Sequence, residues 1–170
     1  SLKYFASQTT NDKSSSGYKN SILSTGIGTS FEQYKNVYLS PNLTFSYDDL
    51  KVENSASDAL KKQKGTFADL SFDYGLTLDN RDKVYAPTDG YITRFGQAIP
   101  IYADSPYIKN SYQISAYQAV SPDAIGSVKF FATSMTGLKS EDVRISKRLF
   151  LPTSKLRGFE AGKIGPKDGN

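Results

Sequence analysis

The chain has 170 residues, enough for one ordinary domain, yet only 38% are hydrophobic, with 12 Tyr, 10 Phe and no Trp. It contains neither Cys nor His, which excludes thiol nucleophiles, disulfides, histidine-based triads and the usual zinc sites. The net charge of +4 comes from 21 basic and 17 acidic residues scattered along the chain. Nucleic acid is therefore not an expected partner, because a nucleic-acid binder gathers its Lys and Arg on one face.

Taken in order, the segments alternate with a period of two. A partial strand is expected over 2–7. Leu23, Thr25, Ile27, Thr29 and Phe31 share one face of a strand near 19–31. Val37, Leu39, Leu43, Phe45 and Tyr47 share one face of a strand near 36–50, with Tyr38, Ser40, Asn42, Thr44, Ser46 and Asp48 between them. Pro41 falls on the apolar set and should weaken that strand's ladder. A short helix fits only Ser57–Lys64, behind a Ser57 or Asp58 cap. The clearest case is Ala68–Asp79, where Ala68, Leu70, Phe72, Tyr74, Leu76 and Leu78 alternate with Asp69, Ser71, Asp73, Gly75, Thr77 and Asp79. Weaker alternation marks strands near 90–100, 111–121 and 127–137.

Connections at 33–36 and 121–126 read as tight turns, whereas 53–65 and everything after Leu138 read as long loops. The stretch 101–110 is intermediate, and 80–90 is long where a short turn is due. Pro87-Thr88-Asp89-Gly90 has turn chemistry: Pro fixes φ and Gly accepts a positive one. Asp79, Arg81 and Asp82 sit close enough in sequence to form a local charge cluster. The chain opens on SLKYFASQ, with no Met and no apolar leader, so it is expected to be a piece of a longer protein.

Alternation alone fits both a soluble β-sandwich and a transmembrane β-barrel. Three details favour the barrel. The strands run to 10–15 residues, where about 9–11 suffice to cross a bilayer at a tilt. The polar faces carry Asp, Ser, Thr and Gln, as a wet lumen would. Tyrosines gather near strand ends (Tyr18, Tyr34, Tyr38, Tyr47, Tyr85, Tyr91, Tyr102, Tyr107 and Tyr112), where an aromatic girdle would lie.

Two motifs go further. Arg157-Gly158-Phe159 is followed by Ile164-Gly165-Pro166, and a strand ending in Asp79-Asn80-Arg81-Asp82 leads to Pro87-Thr88-Asp89-Gly90. With Phe31-Glu32-Gln33-Tyr34, then Leu39-Ser40-Pro41, and the strand spacing between them, this ordered set resembles the BamA family. These are the outer-membrane protein assembly factors of the bacterial surface antigen superfamily. Leu156 stands where Val is commoner in that family.

The resemblance implies an all-β antiparallel meander, part of a sixteen-stranded transmembrane barrel preceded by POTRA domains. About seven strands would be present as an open, curved sheet. Residues 1–170 would be a partial barrel domain, with strands over 1–137 and a long extracellular loop over 138–170 that folds into the lumen. Arg157, Gly158 and Phe159 would be the functional loop residues, supported by Ile164, Gly165 and Pro166. The acidic partners of Arg157 would lie beyond Asn170. A partly desolvated guanidinium needs pairing, and its planar fork suits a carboxylate.

The implied function is folding and insertion of β-barrel proteins into the bacterial outer membrane. The implied partners are outer-membrane lipids, unfolded β-barrel proteins and assembly lipoproteins, with no cofactor. A related secretion or translocation pore, or a soluble β-sandwich binding module, is the alternative. No enzyme is expected: Asp79 with Asp82, or Asp48 with Asp49, are the only paired carboxylates offered, and no motif joins them to a nucleophile or metal site.

Overall fold

The computed structural model describes residues 2–13, 17–138 and 143–149. The strands are β1 (Leu2–Lys13), β2 (Tyr18–Thr29), β3 (Phe31–Tyr34), β4 (Val37–Val52), β5 (Gly65–Asp79), β6 (Gly90–Ala103), β7 (Tyr107–Ser121) and β8 (Ala124–Gly137). One helical turn, α1 (Asp58–Lys61), lies between β4 and β5. The strands form a single antiparallel sheet in the order β1-β2-β4-β5-β6-β7-β8, with β3 pairing β4 where β2 has ended. Apart from β2 and β4, which the short β3 separates in the chain, every strand neighbour is a chain neighbour, and the sheet stays open at β1 and β8.

The break between β2 and β3 has a visible cause. The β2 ladder runs out at Gly28↔Asn42 and the β3 ladder begins at Phe31↔Leu39. Pro41 lies in that gap, where its missing N–H costs no ladder bond to this neighbour. The Ser30 and Ser40 hydroxyls bridge the gap at 2.8 Å. The first strand is longer than the expected 2–7: it pairs with β2 from Leu2↔Thr29 to Lys13↔Tyr18.

Register sorts the residues into two faces. Directly paired residues point the same way. Leu43 pairs Phe72, Phe45 pairs Leu70, Leu76 pairs Phe95 and Ile114 pairs Phe130, giving a mainly apolar face. The opposite face carries Ser46 paired with Asp69, Asn42 with Asp73, and Ala98 with Lys109. Burial runs opposite to that of a soluble domain. Among the described residues the buried set is mostly polar, comprising Asn20, Ser46, Asp48, Asp69, Ser115 and Arg144, with only Tyr18, Leu50 and Ile92 as buried apolar residues. Phe130 and Val128, by contrast, stand 54% and 71% exposed on the apolar face. A soluble sandwich would stack that face on a second sheet, and the described residues contain none.

Connections sort to two ends. One end carries Gly17, 53–64, 104–106 and the segment 143–149; the other carries 35–36, 80–89 and 122–123. The two expected tight turns, 35–36 and 122–123, share the second end with the long 80–89, and the expected long loops share the first, where 104–106 is shorter than the intermediate connection expected. The connection 104–106 has three residues, because Ile101 is absorbed as a bulge against Leu70 and Ser71, extending β6 to Ala103. Asp104 then closes the hairpin by accepting the Ala68 N–H at 2.9 Å.

The aromatic girdle is also incomplete. Tyr47, Tyr91, Tyr102 and Tyr112 lie on the apolar face, but Tyr18 and Tyr107 pair with Val52 and Gly137 on the polar one. Strand parity, not closeness to a strand end, decides the side.

Candidate functional site

The polar face is occupied at one end by residues 143–149, a strap that returns across the strands after β8. The strap is a single helical turn, with the Lys147 and Arg148 N–H groups both donating to the Arg144 carbonyl at 3.0 Å. That turn aims its side chains down at β4 and β5. Arg144 Nη2 donates to both Asp69 oxygens, at 2.9 and 2.7 Å. Ser146 Oγ donates to Asp48 Oδ2 at 2.6 Å, and Asn20 Nδ2 supports Asp48 Oδ1 at 3.3 Å. Lys147 Nζ lies 3.4 Å from Ser46 Oγ and 3.7 Å from Asp69 Oδ2. The Ile145 N–H donates to Gln63 Oε1 at 2.8 Å, tying the strap to the loop after α1.

Charges balance within this cluster: Asp48 and Asp69 meet Arg144 and Lys147. Balance is needed because the groups are desolvated, with Asp48 0% and Arg144 4% exposed. The Arg144 guanidinium also lies 3.9 Å above the Phe67 ring, which faces the same way as Asp69 two residues on. Its Nε and Nη1 are buried and have no partner among the described residues. Below the strap opens a cavity of about 410 Å³, lined by Ser46, Asp69, Asp73, Lys109, Ser111 and Lys147 among others. The two lysines and two carboxylates of its lining balance in charge. No group of three or more His, Cys, Asp or Glu that could hold a metal occurs among the described residues.

The second cluster is the connection 80–89. Asp79 accepts from Arg81 Nε at 2.8 Å and Nη2 at 2.7 Å, a two-pronged pair that turns the chain as it leaves β5. Arg81 Nη1 adds a bond to the Val84 carbonyl at 3.2 Å. The Asp79 carboxylate raises the Arg81 guanidinium above its ordinary pKa. Asp82 accepts from the Thr88 hydroxyl at 2.5 Å and from the Thr88 and Asp89 N–H groups at 2.9 and 3.1 Å. Those donors, the Thr88 hydroxyl foremost, hold its carboxyl down at about 2. Gly90 follows Pro87 and Asp89 with φ 91°, and a Cβ there would strike the Asn80 carbonyl oxygen.

The motif residues Asp79, Arg81, Asp82, Pro87, Asp89 and Gly90 therefore meet in one cross-braced turn. Arg157, Gly158, Phe159, Ile164, Gly165 and Pro166 lie outside the described residues. Sequence reasoning missed the strap. Arg144 belongs to no motif, and its partner is 75 residues away. Asp48 was visible as a polar-face residue of its strand and as a carboxylate paired with Asp49, not as an anchor for a returning segment.

A model of the Omp85 superfamily domain matches residues 1–170. The chain belongs to the Omp85 superfamily. No curated protein matches it by sequence. Among solved structures it is similar to BamA from Haemophilus ducreyi, in a crystal structure lacking POTRA domains 1–3. The TM-score is 0.81 at 18% identity, covering 97% of this chain and 35% of the other. The fold is thus that of part of a BamA barrel, and the chain spans about a third of that crystallised chain, itself short of POTRA domains 1–3. This Omp85 chain is a stretch of outer-membrane β-barrel wall, in a superfamily of assembly and translocation proteins that are generally not enzymes. Its exposed apolar face is the lipid face, and the face bearing the strap is the interior.

Proposed function

We propose that this Omp85 chain is the central wall of an assembly factor that folds and inserts β-barrel proteins into the outer membrane. Its complete barrel has sixteen strands, so that β1 and β8 continue into further strands. The end carrying the strap faces the cell exterior. Outer-membrane lipids, unfolded β-barrel substrates and assembly lipoproteins are its partners, and no cofactor takes part.

The observation that carries this reading is the anchoring of the 143–149 strap on the interior face through Asp48 and Asp69. It supports a loop over 138–170 that enters the lumen. Arg157 follows Leu149 by eight residues, a reach of at most about 28 Å. From that start Arg157, Gly158 and Phe159 lock the loop against acidic residues of later strands, with Ile164, Gly165 and Pro166 shaping its return. The wall then stays rigid while the edges of the complete barrel receive incoming strands.

Depletion of the full-length protein tests this. Loss of many β-barrel proteins from the outer membrane is the expected result. Loss of one secreted partner, with β-barrel levels intact, assigns a translocation pore instead. The change Arg157→Ala should lower assembly in proportion to its effect on barrel heat-modifiability, and normal β-barrel levels with unchanged heat-modifiability remove the lock.

A further inference from the structure

The lipid face of this wall is not uniformly apolar. A row of polar side chains crosses it through four paired strands. Tyr74 OH donates to Gln97 Oε1 at 3.0 Å, Gln97 Nε2 to Asn110 Oδ1 at 2.6 Å, and Asn110 Nδ2 to Ser134 Oγ at 3.4 Å. Register places these on the side of Phe72, Phe95, Tyr112 and Phe130, not on the interior side of Asp69 and Lys109. The Tyr74 ring itself lies between those of Phe72 and Phe95, at 6.3 and 6.2 Å.

The row climbs. Tyr74 lies nine residues from the strap end of β5 at Gly65, and Gln97 six from that of β6 at Ala103. Asn110 and Ser134 each lie three residues from the corresponding ends, Tyr107 and Gly137. The apolar band shrinks with it. On β5 it runs from Ala68 to Leu78, ten steps along the strand, or about 25 Å of height at ordinary rise and tilt. On β8 it runs only from Val128 to Ala132, four steps between Gly126 and Ser134, or about 10 Å.

Each amide of the row carries two hydrogens and engages one of them among the described residues. Gln97 and Asn110 already have both neighbouring strands beside them, so further strands of a complete barrel bring nothing over them. In hydrocarbon an unpaired amide N–H is costly.

We infer that this row is a lipid-recognition seam. It draws oxygen acceptors of lipid polar groups, with their water, down the outside of β7 and β8 from the strap end as far as Asn110 and Gln97. Phosphate, ester and sugar oxygens share the acceptor chemistry. The seam depends on membrane embedding, which family membership gives, and is independent of the assembly activity.

Single cysteines in a cysteine-free version of the full-length protein, placed in phospholipid nanodiscs, test it. Ala132→Cys and Leu70→Cys each lie five residues from the strap end of their strands, on the lipid face. A charged maleimide should label position 132 roughly tenfold faster than position 70, because only a hydrated thiol ionises to react. Adding Gln97→Leu and Asn110→Leu should remove most of that difference. The first comparison stands even where the double replacement does not fold.

Equal slow labelling at 132 and 70 overturns the seam, as does fast labelling at 132 that a folded Gln97→Leu/Asn110→Leu protein retains. A position 132 that labels in nanodiscs but in cells is shielded and cross-links to another protein makes the row a protein-docking surface, and also overturns it. Nanodiscs of phosphatidylcholine and of lipopolysaccharide separate the acceptors: faster labelling with the latter alone assigns them to sugar or its phosphates.

Discussion

Arg144 and Asp69 are 75 residues apart in sequence and share a two-oxygen ion pair at 2.7 and 2.9 Å, almost wholly out of water. The pair holds a loop segment to the interior wall of a barrel fragment. Removing Asp69 strands Arg144 as an uncompensated charge, and removing Arg144 leaves Asp69 with Lys147 alone, at 3.7 Å. Asp69→Ala or Arg144→Met should therefore cost roughly 3–5 kcal/mol. Replacing both, as Asp69→Leu with Arg144→Met, should recover much of that loss. Thermal unfolding of the folded barrel, read by heat-modifiability, and protease cleavage within 138–149 measure both effects. Single and double variants of equal stability would mean that the pair contributes little.

The Asp48–Ser146 bond is the weaker fastening. Ser146→Ala leaves the Asp48 carboxylate with the Asn20 amide alone, at 3.3 Å. The expected loss is about 1.5–3 kcal/mol, the range for a bond to a charged group. The same protease assay reports it, and cleavage should rise less than for Asp69→Ala.

The turn 80–89 responds to acid. Asp82 is held at about 2, below its unfolded value near 3.9. Its stabilising contribution is therefore fully present above about pH 4 and is lost as pH falls through about 2. Amide exchange at Thr88 and Asp89, corrected for intrinsic rates, should accelerate across that window. In Asp82→Asn the exchange should be fast at every pH, with no such step.

Gly90→Ala combines a positive φ with a collision against the Asn80 carbonyl. Strain of about 1–3 kcal/mol follows. Protease cleavage near the exposed Val84 and Tyr85 should increase while the strap assay stays at the wild-type level.

Charge on the two faces should have opposite tolerance. Phe45→Lys places an ammonium in the lipid band, and about 2–4 kcal/mol of destabilisation is expected near mid-membrane. Thr44→Lys, one residue away on the wet interior face, should cost far less. Urea unfolding in bilayers distinguishes them, and equal costs would contradict the assignment of faces.

Much of this was legible in the chain. The period of two from Ala68 to Asp79 named both faces of β5 correctly, because a strand side chain has only two directions to choose between. The turn from Asp79 to Gly90 was legible because its bonds are local: Asp79 to Arg81 spans two residues and Asp82 to Thr88 spans six. The strap was hidden for the converse reason. Arg144 has no periodicity around it, and nothing near Asp69 distinguishes it from Asp73 on the same face. The bulge at Ile101 was equally hidden, since one extra residue changes a register without changing composition. The tyrosines at positions 18 and 107 show the cost of reading depth without parity.

The meander has a temporal meaning as well. Each hairpin closes on its immediate predecessor, so the wall is laid down in chain order from local contacts that form cheaply and early. Among the described residues the strap alone reaches back by 75 to 101 residues, and it finds its acidic sockets only when β4 and β5 stand side by side. Arg144 thus acts as an inspection stamp, set in place after the masonry is finished and withheld from any wall laid out of register.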